Sequence, residues 1–150
     1  MSEPDVRLLG ADDIGALGAI ADGVFDHDVS ARWSAEFLAD RRHHLAVALD
    51  DGVVVGMASA VHYVHPDKPP QLWINEVATA TAYHGRGIGR RLLERLLRLA
   101  GELECTEAWV LTDQANIAAR RLYESVGGLV PAEECIMYTI PLPLVHDAAW

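Results

Sequence analysis

The feature that most constrains this chain is a glycine-rich turn between an apolar strand and an amphipathic helix. Residues 72–79, LWINEVAT, read as a strand, and residues 83–93, YHGRGIGRRLL, then place three glycines within five residues. Apolar residues recur at helical spacing from Ile88 to Ala100, with arginines on the opposite face. Glycine lets a backbone approach an anion closely, and the unpaired N–H groups of a first helical turn point toward it. The pattern therefore predicts a phosphate-binding loop.

Two widespread phosphate loops are excluded by the residues that follow. A P-loop would end in Gly-Lys-Ser or Gly-Lys-Thr, whereas residues 89–91 are Gly-Arg-Arg. A dinucleotide-binding fingerprint would need glycine or alanine at position 90, which is arginine. The pattern that remains is a polar residue, two spacers, a glycine, one spacer and a glycine, which here are His84, Gly87 and Gly89. The alternative is a helix that simply begins after a glycine-rich turn.

Length and composition favour a single soluble domain over residues 1–150. The chain is 51% hydrophobic, enough for a core, and it contains no apolar run of the roughly 20 residues that a membrane span needs. Its first residues do not resemble a signal peptide. Cys105 and Cys135 are far apart, and neither they nor the histidines have the spacing of metal ligands. We expect a cytoplasmic protein with reduced thiols, no metal and no contact with a membrane.

The charges are unevenly distributed. The chain has 12 basic and 22 acidic side chains and a net charge of −10, which disfavours nucleic acid as a partner. Arginines cluster on the glycine loop and the helix after it, whereas aspartates crowd the N-terminal third. This separation suits an anionic cofactor at one place and a cationic substrate at another. The alternative is that the acidic residues serve only solubility.

The chain in order predicts the elements β-α-α-β-β-β-α-β-α-β. The segments are a strand at 6–9, a helix from Asp12 or Asp13 to about Val24, a helix at 30–41, strands at 45–49 and 53–61 joined by a turn at Asp51-Gly52, a strand at 72–79, a helix at 88–103, a strand at 105–112, a helix from 116 ended by Gly127-Gly128, and a last strand at 135–140. The strand–helix–strand unit over 72–112 implies a parallel pair. Ligands bind beyond the carboxyl ends of such strands.

A second motif sharpens this interpretation. Residues 116–128 read NIAARRLYESVGG, and Asn116, Ala119 and Tyr123 share one face of the predicted helix. Together with the glycine loop, this segment resembles the GNAT superfamily of N-acetyltransferases over residues 45–138, with the bacterial small-amine and aminoglycoside-type enzymes as its nearest likeness. The resemblance implies an α/β acyl-CoA N-acyltransferase fold with a central mixed sheet flanked by helices. Departures are Gly128 for the usual phenylalanine and His84 for the usual glutamine or arginine. In addition, Leu111 stands where ribosomal-protein acetyltransferases carry a glutamate.

The resemblance also implies a cofactor, acetyl-CoA, and a set of site residues. The predicted cofactor-binding residues are Val77, Ala78, Thr79, His84, Gly85, Arg86, Gly87, Ile88, Gly89, Arg90, Asn116, Ala119 and Tyr123. Glu76 would take the proton of the amine, directly or through water, and Tyr123 would protonate the leaving thiolate. The Val77 N–H would stabilise the carbonyl oxygen if the strand bulges there. Alternatives for Glu76 are an ion pair with Arg86 or the orientation of substrate.

The acceptor side is predicted from charge. Asp26, Asp28, Asn75 and Glu76 are the candidate substrate-binding residues, with the aspartates placed on the two N-terminal helices. The resulting hypothesis is an N-acetyltransferase that acts on a primary amine of a small cationic molecule, aminoglycoside-like or polyamine-like. The alternatives are a protein or peptide N-acetyltransferase and a non-catalytic acyl-CoA sensor. A homodimer is left open.

Overall fold

The computed structural model describes residues 2–143, which form a five-stranded mixed sheet in the order β1-β2-β3-β4-β5. The strands are β1 (Asp5–Leu8), β2 (His43–Asp50), β3 (Val53–Tyr63), β4 (Gln71–Thr79) and β5 (Ala108–Val110). Neighbouring strands are antiparallel except for β4 and β5, which are parallel. The parallel pair confirms the prediction made from the strand–helix–strand unit.

Three α-helices and two short 3₁₀-helices complete the described fold. They are α1 (Ala31–Ala39), α2 (Ile88–Glu102) and α3 (Ile117–Ser125), with 3₁₀-helices at Ala11–Gly18 and Thr81–Tyr83. The Ser30 side chain accepts a hydrogen bond from the Trp33 N–H at 3.2 Å and so caps α1. The mixed sheet flanked by helices confirms the predicted fold class. Within residues 2–143, no helix combines the length and the apolar character that a membrane crossing requires.

Each face of the sheet carries its own hydrophobic cluster. On the first face, Leu92, Leu93 and Leu96 of α2 are fully buried against β2, β3 and β4, and α3 packs beside them. On the second face, the first 3₁₀-helix and α1 cover Val47 and Met57. Gly56 of β3 lies under α2, where an added Cβ would come within 3.2 Å of Ile88. Because α2 is held this closely, its first turn is fixed relative to the end of β4.

Both glycine turns predicted from local sequence are present. Asp51 and Gly52 have φ values of 48° and 77°, the left-handed pair that closes the β2–β3 hairpin. Gly127, at φ 94°, ends α3. Its N–H donates to the Glu124 carbonyl and that of Gly128 donates to the Tyr123 carbonyl, which together satisfy the end of the helix.

The first predicted helix is wrong in its extent. It is a 3₁₀-helix that ends at Gly18, and Ile20 pairs instead with Val54 of β3. The Ala21 N–H donates to the Val54 carbonyl and the Val54 N–H to the Ala19 carbonyl, so tertiary hydrogen bonds replace the helical ones. As a consequence, Asp26 and Asp28 lie in the connection before α1 rather than on a helix.

The predicted last strand does not form, and β5 is shorter than expected. Among residues 2–143, no strand pairs with residues 135–140, and the side chains of Ile136 and Tyr138 are 75% and 83% exposed. Residues 135–140, CIMYTI, have the apolar composition of a strand, but a strand also requires a backbone partner. β5 covers only Ala108–Val110 of the predicted 105–112, because its pairing with β4 stops at Val110.

A histidine pair on β2 and β3 should make stability depend on pH. The His44 Nε2 lies 2.7 Å from the His62 Nδ1. Burial, with the nearby His62 and His43, lowers the pKa of His44 from 6.5 to about 4, and burial also lowers the pKa of His62. Between pH 6.5 and about 4 the unfolded chain binds more protons than the folded chain does. The contribution of the neutral histidines to the free energy of unfolding is therefore complete above pH 6.5 and is lost as the pH falls toward 4.

Replacing His44 by glutamine should remove most of that dependence, because the amide still bonds to His62 but does not titrate. We expect the free energy of unfolding of the wild type to fall by about 1 kcal/mol more than that of H44Q between pH 6.5 and 4, after allowing for solvent screening of the half-exposed ring. Urea unfolding at several pH values measures this. If the free energy of unfolding changes equally with pH in the wild type and in H44Q, the prediction is wrong.

Candidate active site

The glycine loop enters α2 through two left-handed residues. Gly85 and Gly87 both have φ of 75°, a conformation that costs other residues about 1–2 kcal/mol. A Cβ built at either position meets no atom within 4 Å, so the loop backbone is open on that side. Gly87 is the N-cap of α2, and the first helical hydrogen bond is donated by the Arg91 N–H. The N–H groups of residues 88–90 therefore have no helical acceptor, which is the arrangement that binds phosphate.

Next to this loop, β4 and β5 separate. Their last paired residues are Ile74 and Val110, so residues 75–79 of β4 have no partner on that side in the described part of the chain. The Ala80 N–H donates to the Val55 carbonyl of β3. Because successive backbone N–H groups of a strand alternate in direction, those of Val77 and Thr79 point into the gap. This is the direction that the sequence hypothesis requires of the Val77 N–H.

A β-bulge precedes the gap, two residues before Val77, the position at which the hypothesis assumed it. Ser59 of β3 pairs with Glu76 and Ala60 pairs with Ile74, which leaves Asn75 as the extra residue. The bulge shifts the alternation of β4, so that Asn75 and Glu76 are both exposed. Val77 packs on the first face, against the cluster formed with α2.

The loop, the gap and α3 together enclose a cleft of about 720 Å³. Its lining includes every residue predicted to bind the cofactor. The full lining is Gly23, Val77, Ala78, Thr79, Tyr83, His84, Gly85, Arg86, Gly87, Ile88, Gly89, Arg90, Asn116, Ala118, Ala119, Arg121, Leu122 and Tyr123. Residues from two distant segments of sequence, 77–90 and 116–123, thus meet at one site.

The cleft is positively charged although the protein is acidic. Three arginines, Arg86, Arg90 and Arg121, line it, and its lining contains no carboxylate. The Arg86 guanidinium stacks over the Tyr83 ring at 4.8 Å, and its Nη1 is buried without a hydrogen-bond partner in the described structure. A buried guanidinium N–H without an acceptor, beside free helical N–H groups, fits a phosphate-bearing ligand.

His84 connects the loop to β4. Its Nε2 lies 2.8 Å from the Thr79 carbonyl oxygen, which can only accept, so Nε2 carries the hydrogen. That N–H is therefore engaged within the protein and holds the loop against the end of β4. The backbone N–H groups, Arg86 and Arg121 are left as donors at the cleft, whereas the Arg90 Nε donates to the Glu94 Oε1 at 2.8 Å.

Helix α3 supplies the opposite wall. The Asn116 Oδ1 accepts a hydrogen bond from the Ala119 N–H at 3.1 Å and caps the helix. Tyr123 is half-buried, and burial raises the pKa of its hydroxyl above the usual 10. The phenol thus keeps its proton at neutral pH. Leu122 packs against Gly89, where an added Cβ would lie 3.2 Å from its Cδ2, so Gly89 sets the close approach of α2 and α3.

The predicted acceptor residues lie outside this cleft. Asp26 and Asp28 line a second pocket of about 340 Å³, which Gly23 shares with the cleft. Glu76, the candidate proton acceptor, is exposed on the second face of the sheet. Among residues 2–143, no ion pair joins Glu76 to Arg86, which removes that alternative role. Glu76 nevertheless directly precedes Val77, which lines the cleft.

Five lining residues were not predicted. They are Gly23, Tyr83, Ala118, Arg121 and Leu122. Tyr83 and Arg121 had a local signal, since Tyr83 directly precedes the glycine loop and Arg121 lies two residues before Tyr123. Gly23 had none, because its place depends on the path of the chain before α1.

Comparisons with known proteins agree with this geometry. A model of the acetyltransferase (GNAT) family matches residues 17–128. An uncharacterized N-acetyltransferase of Mycobacterium tuberculosis is 28% identical over 102 residues, which are 68% of this chain and 63% of that protein. The N-alpha-acetyltransferase RimI of the same species is 40% identical over 91 residues, 60% of this chain and 54% of that protein. The chain thus spans less than two thirds of these relatives.

Solved structures show the same fold. An aminoglycoside acetyltransferase from an uncultured soil metagenomic sample, in complex with sisomicin, superposes with a TM-score of 0.79 at 16% identity, covering 93% of this chain and 96% of that one. AAC(6')-Iy in complex with the bisubstrate analogue CoA-S-monomethyl-acetylneamine gives 0.72 at 21% identity, covering 94% and 100%. The sheet that separates beside a glycine loop, and the family match over residues 17–128, show that this chain belongs to the GNAT acetyltransferase family.

Proposed function

We propose that the protein is an acetyl-CoA-dependent N-acetyltransferase that acts on a primary amine of a small cationic acceptor. The observation that carries the proposal is the cleft, where free N–H groups of α2, the arginines and the unpaired edge of β4 face one another. The loop and arginines suit the pyrophosphate of coenzyme A. The edge of β4 suits its pantetheine arm, which can pair with a strand through amide groups.

The residues around the gap fit transfer of an acetyl group to nitrogen. Acetyl-CoA supplies an activated acyl group as a thioester. Glu76 accepts a proton from the ammonium group, directly or through water, so that the nitrogen lone pair is free to attack. The Val77 N–H donates to the carbonyl oxygen as negative charge develops there. Attack forms the C–N bond and a tetrahedral intermediate. As the intermediate collapses, the C–S bond breaks, Tyr123 donates its proton to the departing sulfur, and the nitrogen loses its second proton to water.

Release of free thiol tests the proposal. The protein is incubated with acetyl-CoA and a panel of sisomicin, spermidine and short peptides, and coenzyme A is measured with a thiol reagent. We expect thiol release with at least one small polyamine, and mass spectrometry should show the product 42 Da heavier, one acetyl group replacing one hydrogen. Binding of coenzyme A without thiol release for any acceptor would favour a sensor and contradict the proposal.

A peptide N-acetyltransferase is the second candidate. The identity of 40% to RimI over 91 residues favours it. The residue at position 111 disfavours it, because a leucine that is 48% exposed stands where those enzymes carry a glutamate. Turnover of an alanine- or serine-initiated peptide that exceeds turnover of every small amine would establish this second function.

The second pocket predicts how the acceptor is recruited. Asp22, Asp26 and Asp28 line it, and it adjoins the cofactor cleft at Gly23. Replacing Asp26 and Asp28 by asparagine should raise the acceptor KM roughly 2–5-fold and leave kcat nearly unchanged, because exposed carboxylates bind ground and transition states alike. The acceptor KM of the wild type should also rise with salt, since exposed charges are screened within about 8 Å at physiological ionic strength.

The matched control is the pair Glu102→Gln and Glu133→Gln, which makes the same change in net charge at exposed positions outside both pockets. The acceptor KM of this control variant should equal that of the wild type. If the control raises KM as much as the pocket variant does, then overall charge rather than the pocket recruits the amine.

A further inference from the structure

Three aromatic side chains form a stack on the second face of the sheet, near Glu76. The rings of Trp73 and Trp109 lie 4.8 Å apart at 12°, and that of Tyr63 lies 5.9 Å from Trp73 at 17°. We call Tyr63, Trp73 and Trp109 the aromatic platform. It has no part in the cofactor cleft, whose lining includes none of them.

Strand register places the platform on the same face as Glu76. Trp73 pairs with Val61 of β3 and Glu76 pairs with Ser59, and residues paired across antiparallel strands point to one side. Val61 and Ser59 are two residues apart, so Trp73 and Glu76 are successive same-side positions about 7 Å apart. The bulge at Asn75 is what brings Glu76 to this side. Without the extra residue, Glu76 would share a face with Leu72 and Ile74, which are buried toward α2.

The platform is accessible rather than part of the core. Trp109 and Tyr63 are 37% and 38% exposed, although indole and phenol rings are costly to leave in water. Trp109 contacts both other rings, with the Trp73 ring at 4.8 Å and the Tyr63 ring at 6.4 Å and 6°, and it remains 37% exposed on β5, the last strand of the sheet in the described region. An indole face open to solvent binds cations and rigid ring surfaces well.

Carboxylates stand at both ends of the platform. Glu76 lies at one end, toward the cleft. At the other end the Glu107 Oε1 accepts a hydrogen bond of 2.7 Å from the Gln71 side chain, and Gln71 pairs with Tyr63 on the platform face. Ser59 and Tyr63, the partners of Glu76 and Gln71, are four residues apart on β3, so the two carboxylates are separated by roughly 13 Å along the sheet.

From this arrangement we propose that the aromatic platform is the acceptor subsite and that it takes a rigid, ring-shaped polyamine, such as an amino sugar or aminocyclitol. One ammonium group sits at Glu76 to be deprotonated, a ring lies on Trp109 and Trp73, and a second ammonium group pairs with Glu107. The inference rests on the proposed function for its reactive end and adds the class of acceptor. A flexible linear amine would pair with the carboxylates but would use the indole surface poorly.

The test compares sisomicin, a ring-shaped polyamine, with the linear spermidine, using Trp109→Ala and Glu107→Gln. Trp109→Ala should raise the KM for sisomicin roughly tenfold and that for spermidine less than twofold, with kcat and coenzyme A affinity unchanged. Glu107→Gln should raise the sisomicin KM by about 2–5-fold. Trp109→Phe, which keeps an aromatic face, should recover most of the sisomicin affinity. Thermal melts show whether each variant is folded.

Calorimetric titration of sisomicin into the protein saturated with coenzyme A separates this inference from the proposed function. One outcome is that sisomicin binds, that Trp109→Ala weakens this binding tenfold, and that no amine is acetylated. The aromatic platform is then supported as a binding subsite, and the proposed activity is refuted. If sisomicin is acetylated but Trp109→Ala and Glu107→Gln leave its KM and dissociation constant unchanged, the platform is overturned alone. Equal losses for sisomicin and spermidine, or no binding of sisomicin at all, would also overturn it.

Discussion

Replacing Gly87 by glutamate is expected to weaken coenzyme A binding by roughly 10²-fold or more, since a like charge within about 4 Å of a phosphate costs several kcal/mol at an effective dielectric of 20. Gly87 caps α2 and lines the cleft, and a side chain there meets no protein atom within 4 Å. The new carboxylate would therefore occupy the space beside the free N–H groups. Calorimetric titration with coenzyme A measures the loss.

Two further variants separate charge from backbone strain. Gly87→Ala carries the strain of φ 75° without the charge, and it should lose much less affinity than Gly87→Glu. Gly101→Glu makes the same substitution near the other end of α2, where an added Cβ also meets nothing, and should bind as the wild type does. Position 89 would be a poorer choice, because a side chain there presses on Leu122. Unchanged affinity in a folded Gly87→Glu variant would refute the assignment of the loop.

The parts of the fold predicted well are those whose cause is local in sequence. Gly85 and Gly87 adopt positive φ, and Asn116 caps its own helix three residues ahead, so each signal lies within a few residues of its structure. The hairpin at Asp51-Gly52 belongs to the same class. Local steric and hydrogen-bonding rules are enough to place such features.

The failures arise where tertiary pairing overrides a local pattern. Residues from Asp13 to Val24 have helical spacing, but the bridge from Ile20 to Val54 ends the helix early. Residues 135–140 form a nearly continuous apolar run like that of a strand, yet no partner strand pairs with them in the described structure. A periodic pattern shows which side chains share a face, and the hydrogen-bond partners then decide whether the element forms.

The candidate site also has parts with a local signal in the sequence and parts that depend on tertiary pairing. That residues 77–90 and 116–123 meet in one cleft could be expected, because both segments carry recognisable motifs. The aromatic platform could not be predicted from the sequence, because Trp73 and Trp109 are 36 positions apart and meet only through the parallel register of β4 and β5. The exposure of Glu76 likewise depends on the position of the bulge at Asn75, which no residue type in LWINEVAT marks.

Replacing Tyr123 by phenylalanine is expected to lower kcat roughly 10²-fold or more, the range for loss of a general acid, with little change in coenzyme A affinity. Burial raises the pKa of the Tyr123 hydroxyl, so the group is protonated throughout the working pH range. A tyrosine hydroxyl is already a weaker acid than a thiol, whose ordinary pKa is about 8.5, and burial of Tyr123 widens that difference. Its proton therefore moves only as charge develops on sulfur, and water must later restore it.

A matched control for this prediction is Tyr138→Phe, because that ring is 83% exposed and lies outside the cleft. It should turn over at the wild-type rate. A thioester whose leaving thiol has a lower pKa needs less protonation, so an acetyl-CoA analogue of that kind should narrow the gap between Tyr123→Phe and the wild type. If Tyr123→Phe turns over at the wild-type rate, then Tyr123 contributes only packing. If the difference in kcat between Tyr123→Phe and the wild type is the same for both thioesters, then the hydroxyl orients the acyl donor without delivering the proton.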